Sequence, residues 1–121
     1  MNAELRADLL RCETDLDGAM ARFVNNETLY LLCLAKFLND PTMDDLKSAL
    51  AAPNWDAAFT AVHALKGLAG NMGFVPLFHA SAEMVVLIRN GRQQEIGPCY
   101  LEVQRCYQRV SSVIHDHLEC L

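Results

Sequence analysis

The stretch Val62-His63-Ala64-Leu65-Lys66-Gly67-Leu68-Ala69-Gly70-Asn71-Met72-Gly73-Phe74 decides how this chain folds. On a helix that turns about 100° per residue, with His63 at the origin, Leu65 and Met72 fall almost opposite it. Ala58, Ala61, Leu68 and Ala69 flank them, with Val62 and Trp55 at one edge, and together they make the core side. His63 points away from that side and shares its face with Asp56, Phe59, Thr60, Lys66, Gly67 and Gly70. Each glycine inside a helix costs roughly 1 kcal/mol relative to alanine. A face carrying two of them serves something other than the stability of its own helix.

That something is access. Gly67 and Gly70, at i+4 and i+7 from His63, remove side chains beside the imidazole, so another protein can approach the backbone. Lys66, at i+3, can place a cation beside a phosphoryl oxygen. Phe59, one turn earlier, offers an apolar contact. Histidine suits phosphoryl relay because its unperturbed pKa lies near 6.5, which leaves a neutral, nucleophilic ring nitrogen abundant near neutral pH. Phosphoryl transfer needs mainly positioning and charge stabilisation, so a carrier can be simple if its partner supplies the metal and the acidic pocket.

Working outward, helical spacing continues almost everywhere and strand-type alternation is absent. Asn54 is a candidate N-cap for a helix over Trp55 to Met72, with Gly73 closing it and Pro76 in the first turn of the next, which runs to about Asn90. Before this, Ala3 to Cys12 and Leu16 to Val24 predict two short helices, and Asn25-Asn26 supplies the next N-cap. A third segment spans about Glu27 to Ala51, with a mostly apolar face of Leu29, Leu32, Cys33, Lys36 and Phe37. Pro41 interrupts it, so that it kinks or breaks in two. The last helix is expected from Pro98 to about Leu118, with a seam through Ile96, Cys99, Val103, Cys106, Val110, Val113 and His117. Short connections between long amphipathic helices imply antiparallel neighbours. The expected fold is all-α: an antiparallel up-down four-helix bundle (about 26–121) preceded by one or two short N-terminal helices (1–25), making one domain over residues 1–121.

Bulk composition narrows the function. With 52% hydrophobic residues the chain fills a core, and a net charge of −5 argues against non-specific nucleic-acid binding, which depends on neutralising phosphates. The longest apolar run, Leu29–Ala35, falls far short of the ~20 residues that span a bilayer. The charged N-terminus lacks a secretory core, so no membrane association and a cytoplasmic location are expected. The starting Met and compact length point to a stand-alone protein, with a monomer expected. Five cysteines without a CxxC motif read as reduced thiols, and the seven-residue spacing of Cys99 and Cys106 puts both on one helix face. His115 and His117 lie about 200° apart on a helix and cannot share a metal ion there. No metal site is expected, His117 reads as a packed residue and His79 as a surface one. Nucleotide and hydrolase fingerprints are absent.

The residues resemble a known family, the histidine-containing phosphotransfer (HPt) domains. His63-x-Leu65-Lys66-Gly67, then Ala69 and Gly73, is similar to the signature H-x-L-K-G-x-[AS]-x-x-[hydrophobic]-G. Ala82-Glu83 with Arg89-Asn90-Gly91 resembles the family's L-E…R-x-G stretch. Arg22-Phe23, Asn26-Glu27, Leu29-Tyr30 and Phe37-Leu38 resemble its R-F-G-G-x-x-x-L-Y…L…F pattern. Leu68, where Ala or Ser is usual, and Ala82, where Leu is usual, depart from it. The resemblance implies phosphorylation of His63 through Nε2, support of the phosphoryl group by Lys66, and close approach of a receiver domain at Gly67, with Gly70 and Phe59 on the same docking face. It implies a carrier rather than an enzyme, with no cofactor of its own, Mg²⁺ supplied by the receiver, and response-regulator receivers or a hybrid histidine kinase as partners. Gly70 and Phe74 also fit the chemotaxis-kinase version of the motif, so the chain reads alternatively as the phosphoacceptor domain of a larger kinase. A non-catalytic helical adaptor docking through the same face is the reading from another class.

Overall fold

A computed structural model describes all residues from Met1 to Leu121. Seven α-helices follow one another: α1 (Ala3–Arg11), α2 (Leu16–Arg22), α3 (Glu27–Phe37), α4 (Thr42–Ala51), α5 (Trp55–Met72), α6 (Val75–Arg89) and α7 (Ile96–Asp116). Short 3-10 turns precede and follow α7, at Gln93–Glu95 and Leu118–Cys120. The fold is a helical bundle without strands. Asn2, Asn26 and Asn54 each accept a hydrogen bond from a backbone N–H in the first turn of the helix they begin, at 2.7–3.1 Å, as N-cap side chains do.

Pro41 breaks the third segment in two. Asp40 turns its carboxylate onto the Thr42 N–H at 2.9 Å and so starts α4 afresh. The buried face of α3 also differs from the sequence reading. Tyr30, Leu34 and Phe37 point inward, while Leu29 and Leu32 are 42% and 51% exposed and Lys36 is exposed. The run Leu29–Ala35 is apolar all round, so periodicity alone cannot orient it. The Tyr30 hydroxyl decides the matter by donating to the Met72 carbonyl at 2.8 Å inside the protein. The last helix begins at Ile96 rather than Pro98, since a first-turn proline needs no N–H partner, and it ends at Asp116, with a 3-10 turn following at Leu118–Cys120.

Each of α4, α5 and α6 packs against the next helix in the chain, and α6 packs against α7. Connections of two or three residues between α4, α5 and α6 force these neighbours to reverse direction. The core runs between them and includes Leu46, Ala58, Leu65, Met72, Phe74, Met84, Val103 and Ile114. Phe37 stacks edge-on to Phe74 and lies against Tyr107, which ties α3 to α7 and to the α5–α6 turn. The α1 helix buries Leu5 and Leu9 and lies along α7. There the buried His117 ring meets the Asp8 carboxylate at 2.7 Å, and Arg109 donates to the Arg11 carbonyl.

Candidate functional site

The site is built on α5, whose C-terminal end is clamped by several other segments. At that end the last carbonyls lack helical partners and carry partial negative charge. Arg22 donates to the Asn71 carbonyl at 3.1 Å, and Tyr30 takes that of Met72. Phe23 packs edge-on against the Tyr30 ring at 5.3 Å, which positions that hydroxyl. Gly73 then leaves the helix at φ 81°, a left-handed conformation in which a Cβ would sit 2.6 Å from the Asp15 carbonyl oxygen. The Asp15 N–H returns a 2.8 Å bond to the Gly73 carbonyl, so α2 is stitched to the turn after α5. Arg22, Phe23 and Tyr30 of the sequence pattern thus have a structural purpose: they clamp the helix that carries His63.

His63 lies mid-helix and is exposed. Phe59, one turn before it, is half-buried and stacks on the imidazole, with ring centres 5.8 Å apart and planes inclined by 23°. Lys66, one turn after it, is half-buried, and its ammonium rests 5.9 Å from the centre of the Phe78 ring of α6. Gly67 is exposed, and a Cβ built there meets no atom within 4 Å, so nothing within the protein requires a glycine at that point. Gly70 differs. A Cβ there would lie 3.1 Å from the Phe78 ring, so this glycine makes room for close packing of α6 on α5. The sequence reading grouped the two glycines as a cleared docking face. The structure leaves Gly67 open to solvent and gives Gly70 an internal reason.

Two residues of α6 join this surface that the sequence reading had not placed in the site. Phe78 receives Lys66 and fills the space over Gly70. Arg89 sets its guanidinium 5.6 Å from the centre of the Phe59 ring. Arg89 stood in the R-x-G stretch of the sequence pattern, but its role depends on how α6 registers against α5, which spacing within either helix does not reveal. Lys66 and Arg89 therefore bring one cation to each side of His63 along the helix axis, in a chain whose net charge is −5. His79 is exposed, as expected, and stands edge-on to Phe78. His115 is exposed whereas His117 is buried against α1, so the two face different surroundings.

The structure is thus an α-helical bundle with a solvent-facing histidine beside an open glycine and a lysine. A family model for the Hpt domain matches residues 38–113, more than half of the chain. The chain belongs to the Hpt domain family, whose members act in histidine phosphotransfer within phosphorelays and interact with receiver domains of two-component systems. The match covers α4, α5 and α6 and most of α7, with His63 inside it. Neither the curated proteins nor the solved structures contain a significant match to the chain. No helix is long and apolar enough to cross a membrane.

Proposed function

We propose that His63 is the phosphoacceptor and that the chain relays a phosphoryl group between receiver aspartates in a cytoplasmic phosphorelay. The observation that carries this reading is the exposed imidazole beside Gly67, where the helix surface is open without any internal cause. In the forward step the lone pair of His63 Nε2 attacks the phosphorus of a receiver aspartyl phosphate. The N–P bond forms as the acyl O–P bond breaks, and the receiver's carboxylate leaves with that electron pair. For Nε2 to attack, the neutral ring must hold its proton on Nδ1, the tautomer this reaction requires. The return step to a second receiver is the reverse. Lys66 balances charge on the phosphoryl oxygens as they pass, which needs its flexible side chain to move off Phe78. Cation–π contacts at partly exposed sites are worth only about 0.5–1 kcal/mol, so a dianion can draw it away.

In this reading the chain has no ATP site, cofactor or metal of its own; Mg²⁺ belongs to the receiver, and the chain works as a monomer. Gly67 takes the close approach of the receiver backbone. Gly70 and Phe74 do not favour a chemotaxis-type kinase domain over a relay protein. Gly70 is accounted for by Phe78, and Phe74 is fully buried in the core. The test is transfer from a phosphorylated receiver to the wild type and to His63→Gln. The relay requires acid-labile phosphate on the first and none on the second. Partner binding with full biological function in the Gln variant would instead establish an adaptor.

A further inference from the structure

His63, Phe59 and Arg89 form a stack that crosses from α5 to α6. The imidazole lies on Phe59 at 5.8 Å and 23°, and the Arg89 guanidinium lies 5.6 Å from the centre of the same phenyl ring. Residues four apart on a helix meet side by side, so the ring of Phe59 is placed where it restricts imidazole rotation. An exposed phenylalanine next to an exposed histidine would itself be free to turn. Phe59 is not: it is half-buried against the core, and a cation from the neighbouring helix sits over it. A guanidinium is planar and weakly hydrated, which favours it over an ammonium for such a contact.

We infer that Phe59 is a positioning residue for His63, held by its packing against the core and, more weakly, by the exposed Arg89, and that its contribution is to the orientation of the nucleophile rather than to partner docking. The inference rests on His63 being the phosphoacceptor. An unrestrained histidine distributes its ring over several staggered χ1 wells and a broad χ2. In-line attack on phosphorus uses one orientation of Nε2, and holding that orientation raises the fraction of encounters that react. Replacing Phe59 by leucine keeps apolar bulk for the core and for any partner but removes the flat face.

The experiment measures phosphorylation of His63 by two donors, the small molecule phosphoramidate and a phosphorylated receiver domain, in wild type, Phe59→Leu, Phe59→Tyr, Arg89→Ala and the double variant Phe59→Leu/Arg89→Ala. Positioning predicts that Phe59→Leu slows both donors by the same factor, about three- to fivefold for release of the ring into several wells. The half-saturating receiver concentration stays unchanged, and Phe59→Tyr restores the rate. Arg89→Ala slows both donors less than Phe59→Leu, reduces the ring-current shift that Phe59 imposes on the His63 protons in NMR spectra, and adds nothing in the double variant. A Phe59→Leu effect confined to the half-saturating receiver concentration, with the phosphoramidate rate intact, overturns the inference in favour of docking. If Arg89→Ala causes its full loss again on top of Phe59→Leu, the part that runs through Phe59 is overturned. If wild-type His63 accepts phosphate from neither donor, the phosphoacceptor reading itself fails, which is a different result from either of these.

Discussion

A methyl group added at Gly67 would meet no atom within 4 Å, whereas one at Gly73 would lie 2.6 Å from the Asp15 carbonyl oxygen on a backbone at φ 81°. These two glycines therefore answer to different constraints. Gly67→Ala is expected to stabilise the isolated protein by up to about 1 kcal/mol, the usual gain of alanine over glycine within a helix. The same change is expected to slow transfer with a receiver, because its extra methyl projects into the approach path. Gly73→Ala is expected to destabilise by about 1–2 kcal/mol for the left-handed backbone alone, and further for the collision with Asp15. Urea unfolding of both variants checks the opposite signs. At this scale the sequence grouped His63, Lys66 and Gly67 because all three belong to one helix and one wheel. It did not separate Gly70 from Gly67, or find Phe78 and Arg89, because those depend on the register between two helices.

At the scale of the element, the turn between α2 and α3 holds Val24 at φ 54° and Asn25 at φ 57°. The resemblance pattern has Gly-Gly there, and the backbone shows why: both residues are left-handed. Asparagine tolerates that region, but a β-branched valine does not. Val24 is 85% exposed, so it recovers little by burial. Val24→Gly is expected to stabilise the protein by about 1 kcal/mol, the lower end of the left-handed penalty, read as a shift of the unfolding midpoint at constant slope. Tyr30→Phe is expected to act in the other direction. It leaves the Met72 carbonyl without its 2.8 Å donor, at a cost of about 1–3 kcal/mol for an unsatisfied buried group. The asparagine caps and the glycine stop were readable because capping is local. The inward face of α3 was not, because a helix that is apolar on every side is oriented only by its tertiary partner.

Across the whole molecule, α1 is fastened to α7 by polar contacts as well as by Leu5 and Leu9. The His117 ring, then the Arg11 guanidinium, hold the Asp8 carboxyl below its usual range. The ionised form is thus favoured in the folded state. The stability it adds is complete above the ordinary aspartate value of 3.8 and is lost as the pH falls through the depressed folded value. Unfolding midpoints measured between neutral and strongly acidic pH should fall less steeply in Asp8→Asn than in the wild type. The thiols give a second whole-molecule readout. Burial pushes the Cys99 thiol up to about 11 and also raises Cys12 and Cys106, while Cys120 is exposed. Alkylation of the native protein should therefore label Cys120 and leave those three protected until the chain unfolds. The heptad spacing of Cys99 and Cys106 already placed both on one buried face. The Asp8–His117 contact lay beyond sequence reasoning, since its partners are at opposite ends of the chain.

The central claim is that His63 carries the phosphoryl group, and intact-mass analysis with peptide mapping after exposure to a phosphorylated receiver tests it most directly. One acid-labile phosphate is expected on the peptide containing His63, absent from His63→Gln while that variant unfolds at the same urea concentration as the wild type. Phosphate on another residue, or a folded wild type that takes none from any receiver or from phosphoramidate, would contradict it.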